Sequence, residues 1–201
     1  MLQTSGGLSE VGAAFGAVVA GAMTWSLLEY ALHRWAGHLP KGRIEVSREH
    51  LAHHADARYF TPWVKKSLLA VPAVCLAVLA GWQLAGAALG ALYGVGFAGA
   101  WLGYELLHRR IHTHAPLNAW GAWARRHHLQ HHYGNPNLNH GVTSPLWDHI
   151  FGTMQPSVKV RIPVRKAEGW MLDAATGRLS QRFVDTYELV GRPPLKPSPQ
   201  P

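Results

Sequence analysis

Two long uncharged apolar stretches, each running into polar sequence crowded with histidine, set the pattern of the chain. The first extends from Val11 to Leu28, eighteen residues without a charged side chain. As a helix it would span about 27 Å, close to the hydrocarbon thickness of a bilayer. No basic segment precedes it, and it continues directly into Glu29-Tyr30-Ala31-Leu32-His33, so it reads as a retained membrane helix rather than a signal peptide. The second stretch, Ser67 to Leu107, carries Glu105 as its only charge and is long enough for two crossings of about 20 residues each. Gly81 to Gly86 is the expected turn between them, with Trp82 and Gln83 at the far interface, where an aromatic side chain is comfortable. Pro116 to Tyr133 is amphipathic and Trp-rich, a pattern that suits a helix lying on the membrane surface. From residue 155 the sequence turns basic and closes on Pro193, Pro194, Pro197, Pro199 and Pro201, a composition expected of a disordered tail. The predicted fold is all-α: an integral membrane bundle of three to four transmembrane helices beneath a cytosolic, histidine-rich helical cap. Residues 1–154 form the membrane-embedded domain, and 155–201 a basic, proline-rich cytosolic tail.

Charge changes this picture by its position. The formal net charge is +8, which raises the question of nucleic acid. Yet residues 1–33 and 67–108 contain no Lys or Arg, and all 19 basic residues fall in 34–66, 109–126 and 159–196. Basic residues flanking apolar runs mark cytosolic loops, and no RNP-like, helix-turn-helix or zinc-finger pattern appears. Nucleic acid is therefore not an expected partner. With an odd number of crossings, the N-terminus lies on the side opposite the histidines. The single cysteine, Cys75, sits within an apolar run, which excludes a disulfide framework and any Cys-ligated cluster.

The candidate chemistry lies in the histidines, fourteen among 201 residues. Ten of them form four clusters. His33 and His38 are five apart; His50, His53 and His54 stand at i, i+3, i+4; His108 and His112 at i, i+4; and His128, His131 and His132 repeat i, i+3, i+4. Residues three and four apart share a helix face, so the last three clusters are each expected to aim imidazoles at one spot. Five residues turn through about 500° of α-helix, so His38 is expected past the helix end, with Gly37 and Pro40 bending the chain. Imidazole is neutral near pH 7 and binds divalent transition metals well. Ten clustered imidazoles exceed what one ion can use and suit two ions at five nitrogens each, with a coordination position open on each. Three carboxylates are candidates to orient the ligands. Glu29 lies four residues before His33 and Glu105 three before His108, and a carboxylate one turn back can accept the outer N–H of a ligating imidazole. Asp148, in GVTSPLWDHIFGT, is the third.

Together EYALHRWAGH, HLAHH, YELLHRRIH, HHLQHH and GVTSPLWDHIFGT resemble the fatty acid hydroxylase superfamily of membrane histidine-box di-iron oxygenases. The resemblance runs from about Glu29 to Thr153 and is greatest to the fatty acid 2-hydroxylase branch. It implies that His33, His38, His50, His53, His54, His108, His112, His128, His131 and His132 ligate two iron ions. His114, His127, His140 and His149 are left outside this set, and His140 stands where the branch usually has an aromatic residue before the glycine. The implied reaction is O2-dependent hydroxylation of a C–H bond in a fatty acyl chain or acyl-lipid, drawing on an external electron donor. No haem-binding carrier domain is recognisable, so a ferredoxin- or cytochrome-type partner is expected, and the basic cytosolic surface suits an acidic carrier. Zinc would compete for the same nitrogen ligands in a purified sample, but it has no accessible redox change.

Three alternatives remain. A carotenoid ring hydroxylase would show a wider third box than His108–His112 and no GVTSPLWD segment. A sterol-type oxidase or desaturase usually opens with HxxxH, whereas this chain has HxxxxH. A membrane metal-binding or carrier protein would need ligands along the membrane path, yet every histidine falls at 33–54 or 108–149, on one predicted face.

Overall fold

A computed structural model of the protein describes residues 4–156 and 159–191. Helix α1 spans Thr4–Ala31 and passes directly into a π-helical turn over Leu32–His38. Helix α2 (Glu45–Ala55) lies beyond it, followed by α3 (Trp63–Ala85) and α4 (Ala87–Thr113). Helix α5 (Ala119–Tyr133) and the short α6 (Leu146–Ile150) follow, with three 3-10 turns at Val164–Lys166, Gly169–Met171 and Gln181–Phe183. Among the described residues, three segments are long and apolar enough to cross a membrane: Ser9–His38, Trp63–Ala85 and Ala87–Thr113. Their outward faces carry large exposed apolar side chains, among them Val11, Phe15, Leu76, Leu84 and Val95, as lipid-facing surfaces do. The chain is a membrane protein.

Helix α4 sits between its two partners because glycine lets the backbones approach, the usual device where lipid supplies no hydrophobic drive between helices. A Cβ on Gly21 of α1 would collide with the Tyr93 carbonyl, and one on Gly96 of α4 with the Val18 carbonyl. Gly90 and Gly94 abut Trp82 and Val78 of α3 in the same way. Trp25, Ala77 and Phe97 form the small buried core of this bundle. Gly96→Leu is therefore expected to exceed the usual overpacking cost of about 1–3 kcal/mol and to lower the thermal midpoint of the detergent-purified protein. Gly99→Leu, at a position with nothing within 4 Å, should leave that midpoint unchanged.

The hairpin between α3 and α4 is tighter than the sequence suggested. Helix α3 runs on to Ala85, and the reversal rests on Gly86 alone, at φ +86°, a conformation open to glycine at little cost. Gly81 serves instead as a packing seat against Gly90.

The expectation of a disordered tail is corrected for residues 159–191. Strands β1 (Val160–Pro163) and β2 (Tyr187–Val190) pair in parallel, a small departure from an all-α chain. Val160, Ile162, Met171, Phe183 and Tyr187 are buried in one core with Leu107 and Ile111 of α4 and Ala124 and Leu129 of α5. Apolar residues spaced among basic ones supply enough surface to dock the segment. Residues 192–201, with the closing prolines, lie outside the described residues. Because this core covers it, α5 is no bare surface helix: Ala124, Arg125, His127, His128, Leu129 and His131 are all buried. Its first turn is capped by Asn118, whose side-chain oxygen accepts from the Gly121 N–H at 2.8 Å, satisfying a donor that helix geometry leaves orphaned.

Candidate metal centre

The ten clustered histidines come together as two groups of five, each with its candidate ligand atoms within 4.8 Å of one another. The first group is His33, His38, His50, His54 and His131; the second is His53, His108, His112, His128 and His132. Neither HxxHH cluster points at a single spot. Helix α2 gives His50 and His54 to the first group and His53 to the second, while α5 gives His131 to the first and His128 with His132 to the second. At about 100° per residue, positions i and i+4 are only about 40° apart, whereas i+3 and i+4 differ by about 100°. One helix can thus serve two sites. The groups adjoin, with the rings of His54 and His132 stacked at 4.0 Å between centroids.

His38 does not lie past the helix end. The π-helical turn over Leu32–His38 bonds i to i+5 and so widens the helix, bringing residues five apart onto one face. The HxxxxH spacing and the wide turn match each other.

Hydrogen-bond accounting shows ring nitrogens that protein partners do not satisfy. His33 Nδ1 donates to the His140 carbonyl at 2.5 Å and His131 Nδ1 to the Leu138 carbonyl at 2.7 Å. A carbonyl only accepts, so in both neutral rings Nε2 is left as a bare lone pair. These two Nε2 atoms are 3.0 Å apart, where two lone pairs repel unless a cation lies between them. His131 Nε2 also stands 2.9 Å from that of His38 and 3.1 Å from that of His54, more neighbours than one ring nitrogen can serve by hydrogen bonding. In the second group, His128 Nε2 is 3.0 Å from His108 Nε2 and 3.1 Å from His112 Nε2. Both ring nitrogens of His132 are buried and have no hydrogen-bond partner among the described residues. Metal–nitrogen bonds of about 2.0–2.1 Å at a right angle put two ligand atoms about 2.9 Å apart. The residues present fit transition-metal ions. Burial, reinforced by neighbouring imidazoles, holds His128, His131 and His132 well below the ordinary histidine value, so their rings stay neutral and available as ligands.

The three carboxylates singled out from sequence act elsewhere than expected. Glu29 does not touch His33; it accepts from Val142 N at 2.7 Å, Thr143 N at 3.0 Å and Thr143 Oγ1 at 2.6 Å. Glu105 does not reach His108 but pairs with Lys66 at the start of α3, which answers the cost of a charge at the edge of a membrane helix. Asp148 is fully buried and accepts from His140 N and Gly141 N, both at 2.8 Å, Thr153 Oγ1 at 2.7 Å and His127 Nε2 at 3.0 Å. Burial alone would raise the Asp148 carboxyl, but the bonds from His127, Thr153, Gly141 and His140 hold it below the usual carboxylate value. Glu29 and Asp148 thus clamp residues 140–143 from two sides, and that segment presents the carbonyl on which His33 rests. His140 itself is buried, with its ring 5.2 Å from that of His131 and no partner for Nδ1 among the described residues. His114 and His149 are exposed.

The carboxylate that does orient a clustered histidine lies in the segment read as tail. Glu168, 3% exposed, accepts from His112 Nδ1 at 3.0 Å. No local spacing links positions 56 apart, so the sequence carried no signal for it. Burial pushes its carboxyl up to about 7, and a cation on the far nitrogen of His112 would favour the ionised form.

A cavity of about 590 Å³ opens between α1, α3 and α4 and ends at the histidines. Trp25, Leu28, Leu69, Ala73, Trp101 and Tyr104 line its membrane part, and His33, His50, His53 and His108 close it. Histidines of both groups therefore face one apolar channel.

Comparison with known proteins places the chain in a family. The fatty acid hydroxylase profile matches residues 18–153. The ceramide very long chain fatty acid hydroxylase of Saccharomyces cerevisiae is 34% identical over 66% of this chain and 36% of its own length. A dihydroceramide fatty acyl 2-hydroxylase of Arabidopsis thaliana is 30% identical over 72% of this chain and 62% of its own. The human fatty acid 2-hydroxylase is 27% identical over 70% and 40%. This chain thus spans about one third to two thirds of the length of these relatives. A solved structure of full-length scs7p, in which only the hydroxylase domain is visible, superposes with a TM-score of 0.60 at 27% identity, covering 73% of this chain and 57% of that one. Two five-histidine groups under three membrane helices, within a match from residue 18 to residue 153, make this chain a member of the fatty acid hydroxylase family.

Proposed function

We propose that the protein is a membrane di-iron monooxygenase that hydroxylates a C–H bond of a fatty acyl chain or acyl-lipid. The observation that carries this reading is the pair of lone-pair nitrogens on His33 and His131, 3.0 Å apart, with His33 itself lining an apolar cavity. His33, His38, His50, His54 and His131 would hold one iron, and His53, His108, His112, His128 and His132 the other. Bound iron would supply the redox chemistry that joins O2, two electrons and two protons with R–H to give R–OH and water. Iron is favoured over zinc because the reaction needs a metal that changes oxidation state.

The chain's own residues do the remaining work. Trp25, Leu28, Leu69 and Trp101 would strip water from an acyl chain entering from the bilayer and guide it toward the histidines. The carbonyls of His140, Leu138 and Tyr59 accept from His33, His131 and His53. They fix each ring with its unprotonated nitrogen inward, a role that outer-shell acceptors commonly fill. The 34–66, 109–126 and 159–196 basic segments support a cytosolic histidine face and C-terminus. They also suit docking of an acidic ferredoxin- or cytochrome-type electron donor. Residues 1–154 would carry the membrane-embedded catalytic domain.

Lipid extracts of cells expressing the wild type or His131→Ala test the activity by mass spectrometry. A set of acyl lipids gaining one oxygen in the wild type alone is expected. Identical lipid profiles in the two strains, with both proteins present in the membrane, would contradict hydroxylation.

A further inference from the structure

We propose that Glu168 is a positioning residue for the second histidine group, making it electronically unlike the first and tying ion binding there to docking of the C-terminal segment. The inference rests on reading that group as an ion site. Among the described residues, Glu168 is the carboxylate that hydrogen-bonds a histidine of either group, 3.0 Å from His112 Nδ1. The counterparts on His33, His131 and His53 are main-chain carbonyls. An anionic acceptor holds the imidazole N–H more strongly than a neutral one and makes the opposite nitrogen a better donor to a metal. Among the described residues, the first group has no such charge. The second therefore holds its ion more tightly, and its ion is the more electron-rich of the two.

Glu168 is held in place by a strap that touches every helix contributing to this group. Lys166 Nζ donates to the Ala55 carbonyl at the end of α2, and the Lys166 carbonyl accepts from Tyr133 at the end of α5. Glu168 itself meets α4 through His112. Trp170 packs edge-on against Phe183 at 5.2 Å, and Met171 is fully buried, so the strap is anchored immediately beyond the carboxylate. Position 168 also lies outside residues 18–153 matched by the family profile, so the device belongs to a part of the chain that the family pattern does not describe. By linkage, if Glu168 strengthens ion binding, the ion must strengthen docking of the strap by the same factor.

The test uses the full-length protein in detergent, stripped of metal and titrated with Co²⁺ alone against a competing chelator, with visible absorption following each site. The wild type should bind two Co²⁺. Glu168→Gln, which keeps an acceptor but removes the charge, should weaken one step by about 10–100-fold and leave the other unchanged. Glu168→Ala should weaken that same step further. Hydrogen exchange on the wild type needs no variant: Co²⁺ should slow exchange at residues 164–171 as the tighter site fills. Unchanged affinities in Glu168→Gln, equal weakening of both steps, or exchange at 164–171 indifferent to Co²⁺ would each overturn the inference. Fewer than two Co²⁺ bound by the wild type would instead contradict the two-ion reading beneath it.

Discussion

Replacing His131 with alanine is expected to abolish hydroxylation and to cut bound metal from two ions per chain toward one. His131 Nε2 lies within 3.1 Å of the Nε2 atoms of His33, His38 and His54, so it is the atom around which the first group is gathered. Its loss removes a ligand and also strips the Leu138 carbonyl of its donor. The fall in activity should exceed the about 10–100-fold typical of changes outside the ligand shell. The second group does not include His131 and should keep its ion. Metal analysis beside product yield reads both effects. Two tightly bound ions and wild-type turnover in His131→Ala would remove this residue from the site.

The second large effect is expected at Asp148, a residue that touches none of the ten clustered imidazoles. Asp148→Ala would leave His140 N, Gly141 N, Thr153 Oγ1 and His127 Nε2 without their common acceptor in a site closed to water. An unsatisfied buried donor costs about 1–3 kcal/mol, so the sum should reach about 4 kcal/mol or more, the range of exceptional single substitutions. Asp148→Asn retains one acceptor oxygen but turns an NH2 toward a donor, and should cost about half as much. Thermal unfolding in detergent gives the order wild type, Asn, Ala. Because the 140–143 segment carries the carbonyl on which His33 rests, the Asn variant should also bind metal more weakly. A thermal midpoint unchanged in Asp148→Ala would mean that this carboxylate is not the clamp described.

Three membrane spans and ten clustered histidines were legible in the sequence because each rests on local periodicity. Runs of uncharged apolar residues report membrane crossings directly, and i, i+4 spacing reports a shared helix face. What escaped was of two kinds. Some signals had two physical solutions. The five-residue gap from His33 to His38 fits either a helix that ends or one that widens, and only the backbone chose the π-turn. The HxxHH clusters carry three imidazoles across about 100° of arc, which one site or two adjacent sites can use. Other features had no local signal at all. Glu29 and Asp148 grip a segment distant in sequence, and Glu168 reaches His112 through a folded segment whose basic, proline-bearing composition reads as tail. A carboxylate one turn from a histidine suggested a partner, but Lys66 and the Val142–Thr143 backbone competed for those charges and won.

The central claim is that each five-histidine group holds one redox-active ion, and the iron content of the native protein tests it most directly. Wild-type protein from iron-replete cells, purified in mild detergent without added metal or chelator, is to be quantified for iron, zinc and protein together. Two transition-metal ions per chain are predicted, with activity rising in proportion to iron rather than zinc. One ion or fewer per chain in a fully active preparation would contradict the account.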